Sequence, residues 1–211
     1  MVRDKRRNED YFREYIQTQK GRIARFEEVF RKLEDGQKIE ACAVTLSNFY
    51  RDLFSARYSA GDEKNVLRET YRSWLSYARR LKSLPWSDAA DLLSLGRLLD
   101  VPPDETLALP LDDALICTLA GKPDVPETVR FPKALPFLRC LDGTDGPEEL
   151  RDYLQTGWYA DHRDASWYGA DEREDSTYCG YWCYTAAAVV SMKGFDPDFF
   201  RETECFPGDL L

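Results

Sequence analysis

The chain has 211 residues, 43% hydrophobic and 13% aromatic, with 38 Asp and Glu against 29 Lys and Arg and a net charge of −9. That composition can bury a core and excludes a disordered chain. The negative balance excludes a broad basic face for DNA or an anionic membrane, so neither is an expected partner.

Taken in chain order, the first helical pattern covers residues 8–33, where Phe12, Ile16, Ile23, Phe26, Phe30 and Leu33 recur at helical spacing, with Gly36 as its stop. Ile39, Cys42, Leu46, Phe49, Tyr50, Leu53 and Phe54 mark a second helix. Val66, Leu67, Tyr71, Trp74, Leu75, Ala78 and Leu81 mark a third, ended by Pro85. Asp62 and Glu63 suit its N-terminus, and Arg79, Arg80 and Lys82 its C-terminus. Long helices on short links predict an antiparallel bundle. Ser87 with Asp88 is the expected cap of a fourth helix through Leu99, closed by Pro102 and Pro103. A fifth is predicted from Asp104 to Gly121, with Leu107, Leu111, Ala114, Leu115 and Leu119 on one face. Four prolines make residues 121–136 a loop. Short helices are expected at 137–141 and from Pro147 to Tyr153. Residues 157–175 read as a loop or a short irregular helix.

Residues 176–193 are too apolar and aromatic for a solvated face, so they predict a central helix buried on nearly every side. Gly194 is its left-handed cap, and Asp196 caps a last short helix to about Glu202. No alternating β-branched run is present. The fold class is therefore all-α: an N-terminal antiparallel helical bundle over 1–120, then an acidic helical subdomain over 121–211 around the buried alanine- and aromatic-rich helix, or both as one compact unit. The first helix is compatible with a monomer or a homodimer.

The charge is unevenly placed. Residues 142–211 hold sixteen Asp and Glu against five Lys and Arg, net −11, while residues 1–141 hold twenty-two against twenty-four, net +2. A localised negative field attracts a basic partner and speeds encounter, although acidity also serves solubility. The N-terminus lacks the apolar stretch of a secretory signal, and no run approaches the roughly 18 apolar residues of a membrane span, so a cytoplasmic protein is expected. Six scattered cysteines are then expected to be free, buried thiols.

Catalytic signatures are sparse. There is one histidine, His162, and no G-x-S-x-G, H-E-x-x-H, P-loop or dinucleotide fingerprint. Cys179 and Cys183, four apart on a predicted helix, could offer two metal ligands, but no second pair completes a site. No cofactor or metal is expected. Asp161, Asp164, Asp171, Glu172, Glu174 and Asp175 read as a solvated acidic loop on charge alone. Trp158, Tyr159, Trp167 and Tyr168 are interleaved with them, and Trp and Tyr concentrate at interface centres when they are not anchoring a loop to a core. These aromatics and acids, with His162, form the candidate binding surface, suited to covering a basic nucleic-acid-binding cleft on another protein.

The stretch G-Y-W-C-Y-T-A-A-A-V-V-S-M-K-G-F-D-P, residues 180–197, resembles the C-terminal domain of bacterial PoNi-type immunity proteins. The F-P-G-D-L ending at Phe206 to Leu210 and the spacing of Trp158, Tyr159 and His162 fit the same resemblance, as does the first helix. Thr185 stands where the family pattern has Glu, and Ser191 where it has Lys. The resemblance implies a non-enzymatic, cytoplasmic antitoxin that binds a cognate DNase effector of a type VI or related contact-dependent system and occludes its active site. Two other readings of the residues are a small helical hydrolase using Asp161, His162 and Glu172 with a divalent metal, and a scaffold holding a partner helix in a bundle groove.

Overall fold

The computed structural model describes residues 1–173, 175 and 177–211. Every regular element among them is helical. They divide into two compact units: Met1–Leu84 with Glu105–Ala108 and Gly169–Tyr181, and Pro85–Asp104 with Leu109–Tyr168 and Trp182–Leu211.

The first unit is built on α1 (Glu9–Arg31), α2 (Gly36–Ala60) and α3 (Lys64–Ala78). Asn8 caps α1 by accepting the Tyr11 N–H. Gly36 is not the stop of α1 but the first residue of α2, because the Asp35 carboxylate captures the Gln37 and Lys38 N–H groups and starts a new helix there. The helices run antiparallel. Cys42 meets the Phe26 carbonyl, and the Trp74 indole N–H donates to Ser47 Oγ at 2.9 Å. Phe12, Leu46, Phe54, Tyr58, Leu67 and Trp74 are essentially fully buried, so the apolar stripes face inward as their spacing predicts.

The second unit holds α4 (Trp86–Leu98), α5 (Ala114–Leu119), α6 (Leu135–Asp142), α7 (Pro147–Thr156) and α8 (Tyr184–Lys193). Its centre is α8, whose residues from Tyr184 to Val190 are all buried, with α4 and α6 packed on it. Ala186, Ala187 and Ala188 have no exposed surface, and their small side chains let the neighbouring helices approach closely. Gly194 closes the helix with φ +66°, as expected.

Three expectations need correction. The central helix does not begin at 176: the described residues from 177 to 183 are non-helical, and Gly180 has φ +118°, a conformation that no helix contains and that glycine adopts without strain. Cys179 and Cys183 therefore do not share a helix face, and they fall in different units. The helix expected from Asp104 shrinks to α5. Pro110 lacks the N–H that such a helix would require, and Asp113 starts α5 by accepting the Leu115 and Ile116 N–H groups. The fourth helix starts on Pro85, without a side-chain cap, and Asp88 is buried. The last short helix is a 3₁₀ turn, Pro197–Phe200, capped by Asp196. All six thiols are free.

Candidate protein-interaction surface

In the second unit, α7 buries Leu150 and Leu154 and turns Glu148, Glu149 and Asp152 to solvent. Pro147 suits its first position, and the Gly146 N–H donates to the Glu149 carboxylate at 2.9 Å, which holds that carboxyl below its ordinary range. Arg151, the cation of this helix, lies over the Phe199 ring at 3.9 Å. Gly157 follows the helix, where a Cβ would meet the Tyr153 ring at 2.8 Å, so only glycine leaves that ring its place.

A compact aromatic stack follows. Tyr159 stacks on Tyr168 with ring centroids 4.4 Å apart, and Trp158 stacks on Trp167 at 5.7 Å. Trp158 is buried at 5% exposure, whereas Tyr159, Trp167 and Tyr168 are half-exposed. His162 contacts both indoles, at 4.9 and 5.2 Å, and its Nδ1–H donates to the Trp158 carbonyl at 2.7 Å. Burial pushes the imidazole below its ordinary 6.5, although the Trp158 carbonyl opposes that shift. The ring is neutral at pH 7 and works as a packed aromatic group. Asp161 and Asp164 are exposed, and Asp161 accepts the Tyr153 hydroxyl at 3.2 Å. Burial first, then negative neighbours including Asp161, raise that phenol far above its ordinary value.

Tyr153 also walls an open groove of about 490 Å³, together with Pro136, Arg139, Asp145, Glu148, Glu149, Asp152 and Thr156. Sequence reasoning counted these carboxylates in the charge balance without marking them as a surface. The signal was present: Glu148 and Asp152 lie four apart, opposite the apolar pair Leu150 and Leu154.

The remaining candidates belong to the first unit, where the N-terminal arm engages them. Asp171 is half-buried and accepts the Tyr181 hydroxyl at 2.6 Å, with Arg6 Nε 3.8 Å away. Arg7 donates to the Asp171 and Arg173 carbonyls. Nearby, Asp4 is 2% exposed and accepts the Tyr178 hydroxyl, while Tyr11 donates to the Tyr178 carbonyl. Glu172 and Asp175 are exposed, and Asp175 accepts the Thr177 hydroxyl at 2.7 Å. Glu174 lies outside the described residues.

The two units differ sharply in charge. The second carries twenty Asp and Glu against nine Lys and Arg, net −11, and the first carries eighteen against twenty, net +2. Among the described residues no group of three His, Cys, Asp or Glu could hold a metal ion. Thr185 is buried on α8, 3.5 Å from the Ser94 hydroxyl, whereas Ser191 is exposed and Lys193 donates to the Leu141 carbonyl. Thr185 is thus an interior residue of the second unit.

Residues 113–210 match the family model for PoNe immunity proteins (PoNi), C-terminal. The matched segment contains the groove, the aromatic stack and α8. No curated protein matches the chain in sequence. In structure the chain is similar to protein PA2201 from Pseudomonas aeruginosa, with a TM-score of 0.74 at 19% identity over 99% of this chain and 89% of that one. At that identity the likeness is one of fold.

Proposed function

We propose that this chain, whose residues 113–210 match the family model for the C-terminal part of PoNe immunity proteins, binds a cognate PoNe nuclease and inhibits it. The observation that carries this reading is a coincidence. The family match falls on the segment that supplies most of the unit with net charge −11, and that unit presents half-exposed Tyr159, Trp167 and Tyr168 beside exposed Asp161 and Asp164.

A nuclease must present cations to a phosphate backbone. An acidic unit competes for those cations and is steered to them at long range, which suits a protein that must capture a toxin before it cuts DNA. The half-exposed rings supply rigid area at the centre of a contact, and the carboxylates supply its polar rim. Inhibition is by occupancy: the acidic face covers the basic cleft, and the chain performs no chemistry of its own. We further propose that the cognate partner is a DNase effector of a type VI or related contact-dependent system, met in the cytoplasm. Trp158, Tyr159, Asp161, His162, Asp164, Trp167 and Tyr168 would make up the binding region of the second unit. In the first unit the exposed Glu172 and Asp175 would contribute, while Asp171 is held by Tyr181 and Arg6.

The test is co-expression with a candidate cognate PoNe nuclease, followed by affinity capture and a DNA-degradation assay. A stable complex with intact DNA is expected. Degraded DNA with no complex would reject the reading.

A further inference from the structure

We propose that the groove beside α7 receives an arginine or lysine side chain of the partner nuclease, an inference that rests on the immunity reading above. The groove has two kinds of wall. Pro136 and the Tyr153 ring form an apolar side, and Glu148, Glu149 and Asp152 form a carboxylate rim. A cationic side chain has the same two parts, an aliphatic stem and a charged head. The stem fits along the apolar wall, and the head reaches both the ring face and the rim.

The fold already uses part of the acidity. Asp145 is paired with Arg139 at 2.7 Å, and Glu149 accepts the Gly146 N–H. Glu148 and Asp152 remain, one helical turn apart on the solvent side of α7, close enough to converge on one guanidinium. Arg151 does not compete for them, because it lies over Phe199. Tyr153 connects the groove to the aromatic stack, since its ring walls one and its hydroxyl bonds Asp161 of the other. A cation inserted here would therefore sit at the edge of the surface proposed above. Arg139 in the lining is already paired with Asp145, and the rim repels an anionic occupant.

The test uses the Glu148→Gln, Asp152→Asn double variant, which keeps side-chain shape and removes two charges at exposed positions. Its affinity for catalytically inactivated PoNe nuclease is measured by calorimetry at low and at high salt, beside wild type and beside Glu148→Asp. The expected result is a loss of about tenfold or more at low salt, a shallower salt dependence, and partial retention by Glu148→Asp. Unchanged unfolding midpoints would assign the loss to binding. Wild-type affinity in the double variant, with wild type itself binding, would overturn the groove proposal and leave the immunity reading standing. Failure of wild type to bind the nuclease would overturn both.

Discussion

The acidic, aromatic stretch from 158 to 181 is one composition in sequence and two structures in space. Its first part, to Tyr168, lies in the second unit and keeps Asp161 and Asp164 in solvent beside half-exposed rings. Its second part, from Gly169, lies in the first unit, where Tyr181 and Arg6 engage Asp171 and Asp4 holds Tyr178. The same residue types therefore do different work. Asp171 is half-buried and held by Tyr181 and Arg6, whereas Asp161 and Asp164 stay exposed, which leaves them accessible to a partner. Composition alone does not separate the two cases, because the discriminating groups at Asp4, Arg6 and Arg7 lie more than 150 residues away in the chain.

The contrast breaks most visibly in stability. We expect Tyr178→Phe to destabilise the protein by about 1.5–3 kcal/mol, since it strips a hydrogen bond from a carboxylate that is 2% exposed. Urea unfolding measures this, and nuclease affinity should not change once the variant is folded. A neutral result would mean that the Asp4 carboxylate finds another donor, and the second part of the stretch would no longer differ from the first. The next largest effect lies on the other side. Reversing Asp161 and Asp164 to Lys should change stability by no more than about 0.5 kcal/mol, as is usual at exposed positions. The same change should weaken nuclease binding by about tenfold or more, mainly through a slower association rate. Equal association rates for variant and wild type would remove this part of the stretch from the interface.

A smaller effect sharpens the geometry. Gly157→Ala forces the Tyr153 ring aside, because the new Cβ would lie 2.8 Å from it. An expected cost of about 0.5–1.5 kcal/mol corresponds to one side chain driven off its rotamer. Fluorescence of the neighbouring Trp158 and Trp167 should shift with the Tyr153–Asp161 contact. An unchanged spectrum and midpoint would show that the ring is free to move.

How much of this was legible in the sequence follows from how local each cause is. The three long helices of the first unit and the burial of Ala186 to Val190 were readable, because apolar spacing is a local signal and these helices bury the faces that it marks. The boundaries were less so. Gly36 looks like a stop, yet Asp35 captures two N–H groups and makes it a start. Cys179 and Cys183 look like a helical pair, yet Gly180 between them takes a positive φ and ends that possibility. Of the candidate surface, the interleaved rings and acids were visible, and their packing into Trp158–Trp167 and Tyr159–Tyr168 stacks was not. The groove is not legible in the same way: the period of α7 marks its exposed carboxylates, but the packing that sets Pro136 and Arg139 of α6 beside them is tertiary.

The smallest predicted effect reaches the centre of the stack. His162 is the sole histidine, so a difference between wild type and His162→Asn near neutrality can be assigned without ambiguity. Burial against the indoles disfavours the imidazolium and lowers the folded-state pKa below 6.5. The unfolded chain, with an ordinary histidine, therefore binds its proton first as the pH falls. The stabilisation is fully present above the unfolded pKa and is lost as the pH descends through 6.5 toward the lower folded value. Carboxylates titrate in both proteins and cancel in the comparison. Wild type should thus lose stability relative to His162→Asn as the pH falls from about 7.5 to about 5. Parallel stability curves would mean that the imidazole is solvated, and that the rings of the first part do not form the dry platform on which its exposed carboxylates are held.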